Sequence, residues 1–221
     1  TDFQASMQIL GQELPKVSSV SLVVSWFGDD LRVGECTVQP KVENVEWDGR
    51  EMGWRAGGIG RGAAVEVARV NDRPIYGGTP SDGSVIEALS AIAQSGRKAV
   101  FYPFILMEQL AGNARPDPWS GAASQPVMPW RGRITTSIAP GRAGSPAGTA
   151  AATAEVARFF GSAEVGHFHR DGGTITYTGP AEWSYRRFIL HYAHLCAAAG
   201  GIDAFLIGSE MVGLTQIRGA G

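Results

Sequence analysis

The chain has 221 residues, of which 44% are hydrophobic and 18% charged, and its formal net charge is −2. That length suits one large domain or two small ones, and the composition buries a core rather than staying disordered. A near-balanced charge with no evident basic face argues against nucleic acid as the main partner.

The chain opens TDFQASMQIL, amphipathic and without the basic start of a signal peptide. It lacks an initiator Met, so it reads as a segment of a longer polypeptide. No apolar run approaches the roughly 20 residues of a membrane span. Phe3, Met7, Leu10 and Leu14 recur at spacings of 4, 3 and 4, which predicts a helix over 2–14 that Pro15 stops. SSVSLVVSWF (18–27) then reads as a buried parallel strand. A second unit follows. Ser84 and Glu87 have capping-box spacing, Val85, Ile86, Leu89, Ile92 and Ala93 form a helical stripe, and Gly96 suits the helix end. AVFYPFIL (99–106) is its strand. In the third unit Pro180 suits a first helical position, and Phe188, Ile189, Tyr192, Leu195 and Cys196 make the stripe. Gly200 and Gly201 end that helix, and DAFLIG (203–208) is the strand.

Helix and strand therefore alternate three times, with short turns from helix to strand, which predicts a parallel sheet. The returning connections, about 28–83 and 107–179, are far longer than the ordinary roughly 2–6 residues. They place the elaboration at the C-terminal ends of the strands, where barrels and open α/β sheets build their sites. Inside them, 63–78 reads as a short β element turning at Asn71–Asp72, 147–160 ends in a short helix, and 167–179 is a hairpin around Asp171-Gly172-Gly173.

Glu210 is the first candidate for chemistry, because IDAFLIGSEM (202–211) ends an apolar strand and then supplies a carboxylate. Glycoside hydrolysis needs an acid to protonate the leaving oxygen and a second carboxylate, roughly 5–5.5 Å away in a retaining enzyme. The plainer reading is a strand-end Glu that pairs with an Arg or caps the next helix. Asp29 and Asp30 follow the first strand, as a solvated loop pair or as contacts to sugar hydroxyls. Trp26, Trp47, Trp54, Trp119 and Trp130 fall in or beside the long connections, where they pack loops or stack on sugars, whereas Trp183 begins a helix and reads as core. No metal site is expected: Cys36 and Cys196 lack zinc spacing, Cys196 reads as a buried thiol, and His167 and His169 have only Asp171 for a third ligand. No cofactor is expected either, since GGIGRG (57–62) has neither the spacing nor the strand–helix setting of a dinucleotide loop.

Several stretches carry resemblances. FLIGSEM resembles the fourth strand of clan A glycoside hydrolases, in the IGTEL-like form of some β-mannanases, and PFIL…PDPW…PWRGRI (103–134) resembles their third strand and following loop. This resemblance implies that Glu210 is the acid/base, that Trp130 and Arg131 wall the cleft, and that Trp26 closes the end of strand two. VVSWFGDDLR (23–32), residues 76–107, PWRGRITTSIAPG (129–141) and FLIGSEMVGLTQIR (205–218) together resemble the TIM-barrel-like domain of the host-specificity tail protein of gene transfer agents and related phages.

The implied fold is an α/β, partial (β/α)8 TIM barrel in which 1–221 supplies strands two to four of one domain. The clan's nucleophile ends strand seven and would lie outside the chain. The implied function is a structural and host-interaction component of a phage-like tail baseplate, with Trp26, Asp29, Trp130 and Arg131 as glycan contacts and Glu210 as the catalytic candidate. The alternative is an active glycoside hydrolase cutting envelope polysaccharide or peptidoglycan glycan. Other tail proteins and a cell-surface glycan are the implied partners, and the chain would be oligomeric within the particle.

Overall fold

The structure, a computed structural model, describes residues 2–221. It is a mixed α/β unit around a curled, half-barrel sheet. Helix α1 (Asp2–Glu13) leads into β1 (Ser19–Gly28). Seven short strands follow: β2 (Val38–Gln39), β3 (Lys41–Val42), β4 (Arg55–Ala56), β5 (Ile59–Gly60), β6 (Val65–Glu66), β7 (Arg69–Val70) and β8 (Arg73–Pro74). Helix α2 (Asp82–Gln94) and β9 (Lys98–Met107) come next, then α3 (Ala150–Phe160), the hairpin β10 (Phe168–Asp171) and β11 (Thr174–Tyr177), α4 (Tyr185–Ala198), β12 (Ala204–Phe205) and α5 (Val212–Thr215).

The main sheet has the order β12-β9-β1-β2. β1 and β9 run parallel over their full length, from Ser19 opposite Lys98 to Gly28 opposite Met107. β12 is parallel to β9 at Ala204–Phe205, and backbone bonds from Asp203 to Ala99 and from Leu206 to Phe101 extend the pairing. The three expected strands are thus neighbours, parallel and in the expected order, although the third is shorter than 203–208. β2 pairs only Gln39 and Val38 with Phe27 and Gly28, antiparallel.

Strand alternation decides what each face meets. Val24, Trp26, Phe101 and Ile105 point at the helices and are buried with Val85, Leu89 and Ile92 of α2 and Phe188, Tyr192 and Leu195 of α4. Each large side chain so buried contributes roughly 1.5–3 kcal/mol. The opposite face carries Val23, Val100, Tyr102, Phe104 and Leu106, none of them fully covered.

Two helix starts differ from expectation. Ser81, not Ser84, caps α2: its Oγ accepts from Ser84 N at 3.2 Å. Ser84 is inside the first turn, and the space ahead of it is filled by Asp82, whose Oδ2 accepts from Ile175 N and Thr174 Oγ1 and whose Oδ1 meets His191 Nε2 at 2.9 Å. Likewise α4 begins after Ser184, whose Oγ accepts from Arg187 N, so Pro180 precedes the helix. The hairpins are as expected: Asn71 and Asp72 turn at φ 50° and 59°, and Gly172 at 58°.

The first insertion has its own small core of Val42, Trp54 and Ala56. It is tied to the sheet by Lys41, whose ammonium meets Glu108 Oε1 in a buried ion pair, while Glu108 Oε2 accepts from Ala68 N at 3.0 Å. No helix among the described residues is long and apolar enough to cross a membrane.

Candidate functional site

Glu210 lies in the turn between β12 and α5, with φ 56°, a left-handed conformation that costs a non-glycine residue roughly 1 kcal/mol or more. Two glycines bring the PWRGR loop against it. A Cβ on Gly132 would stand 2.6 Å from Glu210 O and 2.5 Å from Trp130 Cζ2, and one on Gly213 would collide with Ile134 O. Only bare backbone allows these two segments to interlock.

The result is a compact polar cluster. Trp130 Nε1 donates to Glu210 Oε2 at 2.6 Å, and Arg131 Nη2 lies 3.2 Å from the same oxygen. Arg131 is buried, yet its carboxylate partner is about half exposed: their side chains are 5% and 52% accessible. The guanidinium lies 3.6 Å from the centre of the Phe104 ring. Its Nε donates to Ser209 O at 3.1 Å, and Nη2 reaches Tyr102 Oη at 3.2 Å and Ser209 Oγ at 3.3 Å. Tyr102 Oη and Ser209 Oγ are bonded to each other. Tyr185 donates to Ile207 O at 2.5 Å, and burial pushes its phenol up to about 12 against the opposing pull of Arg131. Arg131 is therefore held by a ring, a carbonyl, two hydroxyls and a carboxylate before any ligand arrives.

Of the residues the sequence singled out, Glu210, Trp130 and Arg131 come together. Glu210 does pair with an arginine, as the plainer reading has it. Trp26 is a correction. It is fully buried on the helix side of β1, with Nε1 donating to Tyr192 Oη at 2.9 Å and its ring 5.1 Å from Phe188. A ring sealed there has no surface to offer a sugar, because its strand parity matches Val24, not Val23. Asp29 is turned to the backbone: Oδ1 accepts from Thr37 N at 2.8 Å, and Arg115 stands 3.8 Å from Oδ2. Burial raises its pKa above the ordinary value despite these partners. Asp30 is buried, accepting from Arg32 and from Gln125 Nε2 at 2.7 Å, which makes it a loop clamp rather than a solvated acid. No hydrogen bond or ion pair joins either aspartate to Glu210 among the described residues. Trp47 and Trp130 are well exposed, and Trp54 is core.

The sequence reading passed over Tyr102, Phe104, Ser209 and Glu108. Tyr102 and Phe104 share one parity of β9, opposite Phe101 and Ile105, and that alternation is visible in VFYPFIL. Glu108 follows β9 as Glu210 follows β12, the same carboxylate-after-strand signal. Among the described residues no group of His, Cys, Asp and Glu could hold a metal ion.

The architecture and cluster define an α/β chain with parallel strands and a carboxylate-bearing site at their C-terminal ends. Residues 183–221, which include Glu210, Ser209 and Gly213, match the family described as the GTA TIM-barrel-like domain. That match agrees with the resemblance read from the sequence. No curated protein matches the chain.

Proposed function

We propose that the chain is part of a (β/α)8 barrel carried in the tail baseplate of a gene transfer agent particle, where it contributes structure and host interaction by binding an envelope glycan at the Trp130–Arg131–Glu210 face. β1, β9 and β12 would be strands two to four of one domain spanning 1–221. The single observation that carries this reading is that the family match covers the segment that bears Glu210, and that this segment meets an exposed aromatic and a fixed cation. Supporting the barrel are the only partly covered inner sheet face and the edge of β1 before Phe27, which no strand pairs among the described residues. An exposed Trp beside paired polar groups has the composition of a sugar contact.

Glycoside hydrolysis is the second reading, favoured by the half-exposed Glu210 carboxyl at a strand end. Trp130 and Arg131 both occupy Oε2, so a transferable proton would sit on Oε1. Incubating the chain with envelope polysaccharide tests both readings. Sedimentation of the chain with the polysaccharide, weakened by Trp130→Ala, supports glycan binding. Reducing-end release that Glu210→Gln abolishes supports hydrolysis. Failure to cosediment refutes the glycan assignment.

A further inference from the structure

We propose that Arg131 Nη1 and Glu210 Oε1 form a donor–acceptor pair that takes two neighbouring hydroxyls of a neutral sugar ring, with Trp130 as the stacking surface beside them. This rests on the glycan-binding reading of the same face and names the class of sugar it selects.

The argument starts from which polar atoms are already engaged. Arg131 uses Nε on Ser209 O and Nη2 on Tyr102, Ser209 and Glu210. Its Nη1 has no hydrogen-bond partner among the described residues, and it is not one of the sealed, unpartnered polar atoms of the interior. Glu210 uses Oε2 on both Trp130 and Arg131. Its Oε1 likewise has no partner among the described residues. Nη1 shares a rigid plane with Nη2, and Oε1 shares one with Oε2. The open donor and the open acceptor therefore belong to the two partners of one ion pair, whose other atoms are already held. Preorganised groups of this kind lose little entropy on binding.

A hydroxyl both donates and accepts. Of two adjacent hydroxyls, one accepts from Nη1 and the other donates to Oε1, so the pair matches a vicinal diol. The indole of Trp130 is backed by Gly132, and the residue is 48% exposed, leaving surface for the apolar face of the sugar ring. The charges select against acids. Arg131 is already neutralised by Glu210, so a sugar carboxylate approaching Nη1 gains little and meets the Glu210 charge. Uronate sugars are thus rejected by a site that contains an arginine.

The test is titration of the chain by calorimetry with three probes: mannotriose, cellotriose and trigalacturonic acid. At least one neutral trisaccharide binds at least tenfold more tightly than the acid. Glu210→Gln supplies the second arm. Its side chain is half exposed, so the fold tolerates the change. The amide oxygen must face the Trp130 and Arg131 donors, which puts an NH2 where Oε1 was and replaces the acceptor by a donor. Neutral-sugar affinity then falls at least tenfold, about 1.4 kcal/mol. Arg131→Lys keeps the charge but cannot both hold its present partners and offer a free donor, and it loses a similar factor. Equal or tighter binding of trigalacturonic acid overturns the proposal. So does unchanged binding in Glu210→Gln; if Trp130→Ala still abolishes that binding, the glycan face survives and only the diol pairing fails. Absence of binding by all three probes to the folded chain overturns the pairing and the glycan reading together.

Discussion

Replacing Gly132 by alanine tests whether close backbone approach builds the site. The new Cβ would stand 2.5 Å from Trp130 Cζ2, 2.6 Å from Trp130 Cε2 and 2.6 Å from Glu210 O, where ordinary contact begins at 3.4 Å. The indole can swing, but Glu210 O is backbone, fixed by a turn already in a left-handed conformation. Relief therefore requires the loop and the turn to part by about 0.8 Å (3.4 − 2.6). That movement stretches the 2.6 Å bond from Trp130 Nε1 to Glu210 toward about 3.4 Å (2.6 + 0.8), beyond the ordinary range. Overpacking of this kind costs about 1–3 kcal/mol. With a urea slope of about 2 kcal/mol/M, the unfolding midpoint should fall by about 0.5–1.5 M. The indole N–H resonance of Trp130, followed by NMR, should move because its acceptor is drawn away. A midpoint and an indole resonance both unchanged from the parent chain would refute the interlock.

Three further outcomes follow from the geometry. Trp26→Ala should cost about 3–5 kcal/mol in urea unfolding, as a core residue does; a loss below 1 kcal/mol would contradict its placement beneath α4. Lys41→Met leaves Glu108 buried without its cation and should cost about 3–5 kcal/mol, with Glu108→Leu in the same chain restoring most of it; hydrogen exchange of residues 41–79 should rise in the single variant only. For Glu182, burial works to raise the carboxyl pKa, but hydrogen bonds from Ser184, Ser162 and Ala163 outweigh it and hold it below the ordinary value. A depressed carboxyl stabilises the fold above its unfolded pKa, near 4.5, and that contribution is lost as pH falls through the lower folded value. Glu182→Gln should lower stability at pH 7 and flatten the acid dependence below pH 4.5, and an unchanged pH profile would contradict this.

The three strand–helix units were legible because each is written in local periodicity: the Leu89–Ile92 stripe of α2, the Phe188–Tyr192–Leu195 stripe of α4 and the β-rich runs before and after them. The helix starts were not, because several residues offer the same local cap: Ser81 accepts from Ser84 N and Ser184 from Arg187 N, and at α2 the choice is fixed by distant contacts of Asp82 with Thr174 and His191. Trp26 was misplaced although its parity was in plain view. Val20, Leu22, Val24 and Trp26 alternate with Ser19, Ser21, Val23 and Ser25, so the helix-facing side is the uniformly apolar one. At the site, Glu210, Trp130 and Arg131 were readable from motif. Their assembly was not, because it depends on Gly132 and Gly213 meeting across about 80 residues of chain, and glycine at a close approach looks like any loop glycine. Asp30 and Glu108 look like surface acids in sequence and are buried where Gln125 and Lys41 arrive from elsewhere in the chain.

The most direct measurement of the central claim is the distribution of this chain across a density gradient of purified gene transfer particles, read by quantitative mass spectrometry. The account predicts that the chain bands with the particle, in a fixed ratio to the other tail proteins. Its recovery solely from the particle-free soluble fraction would contradict it.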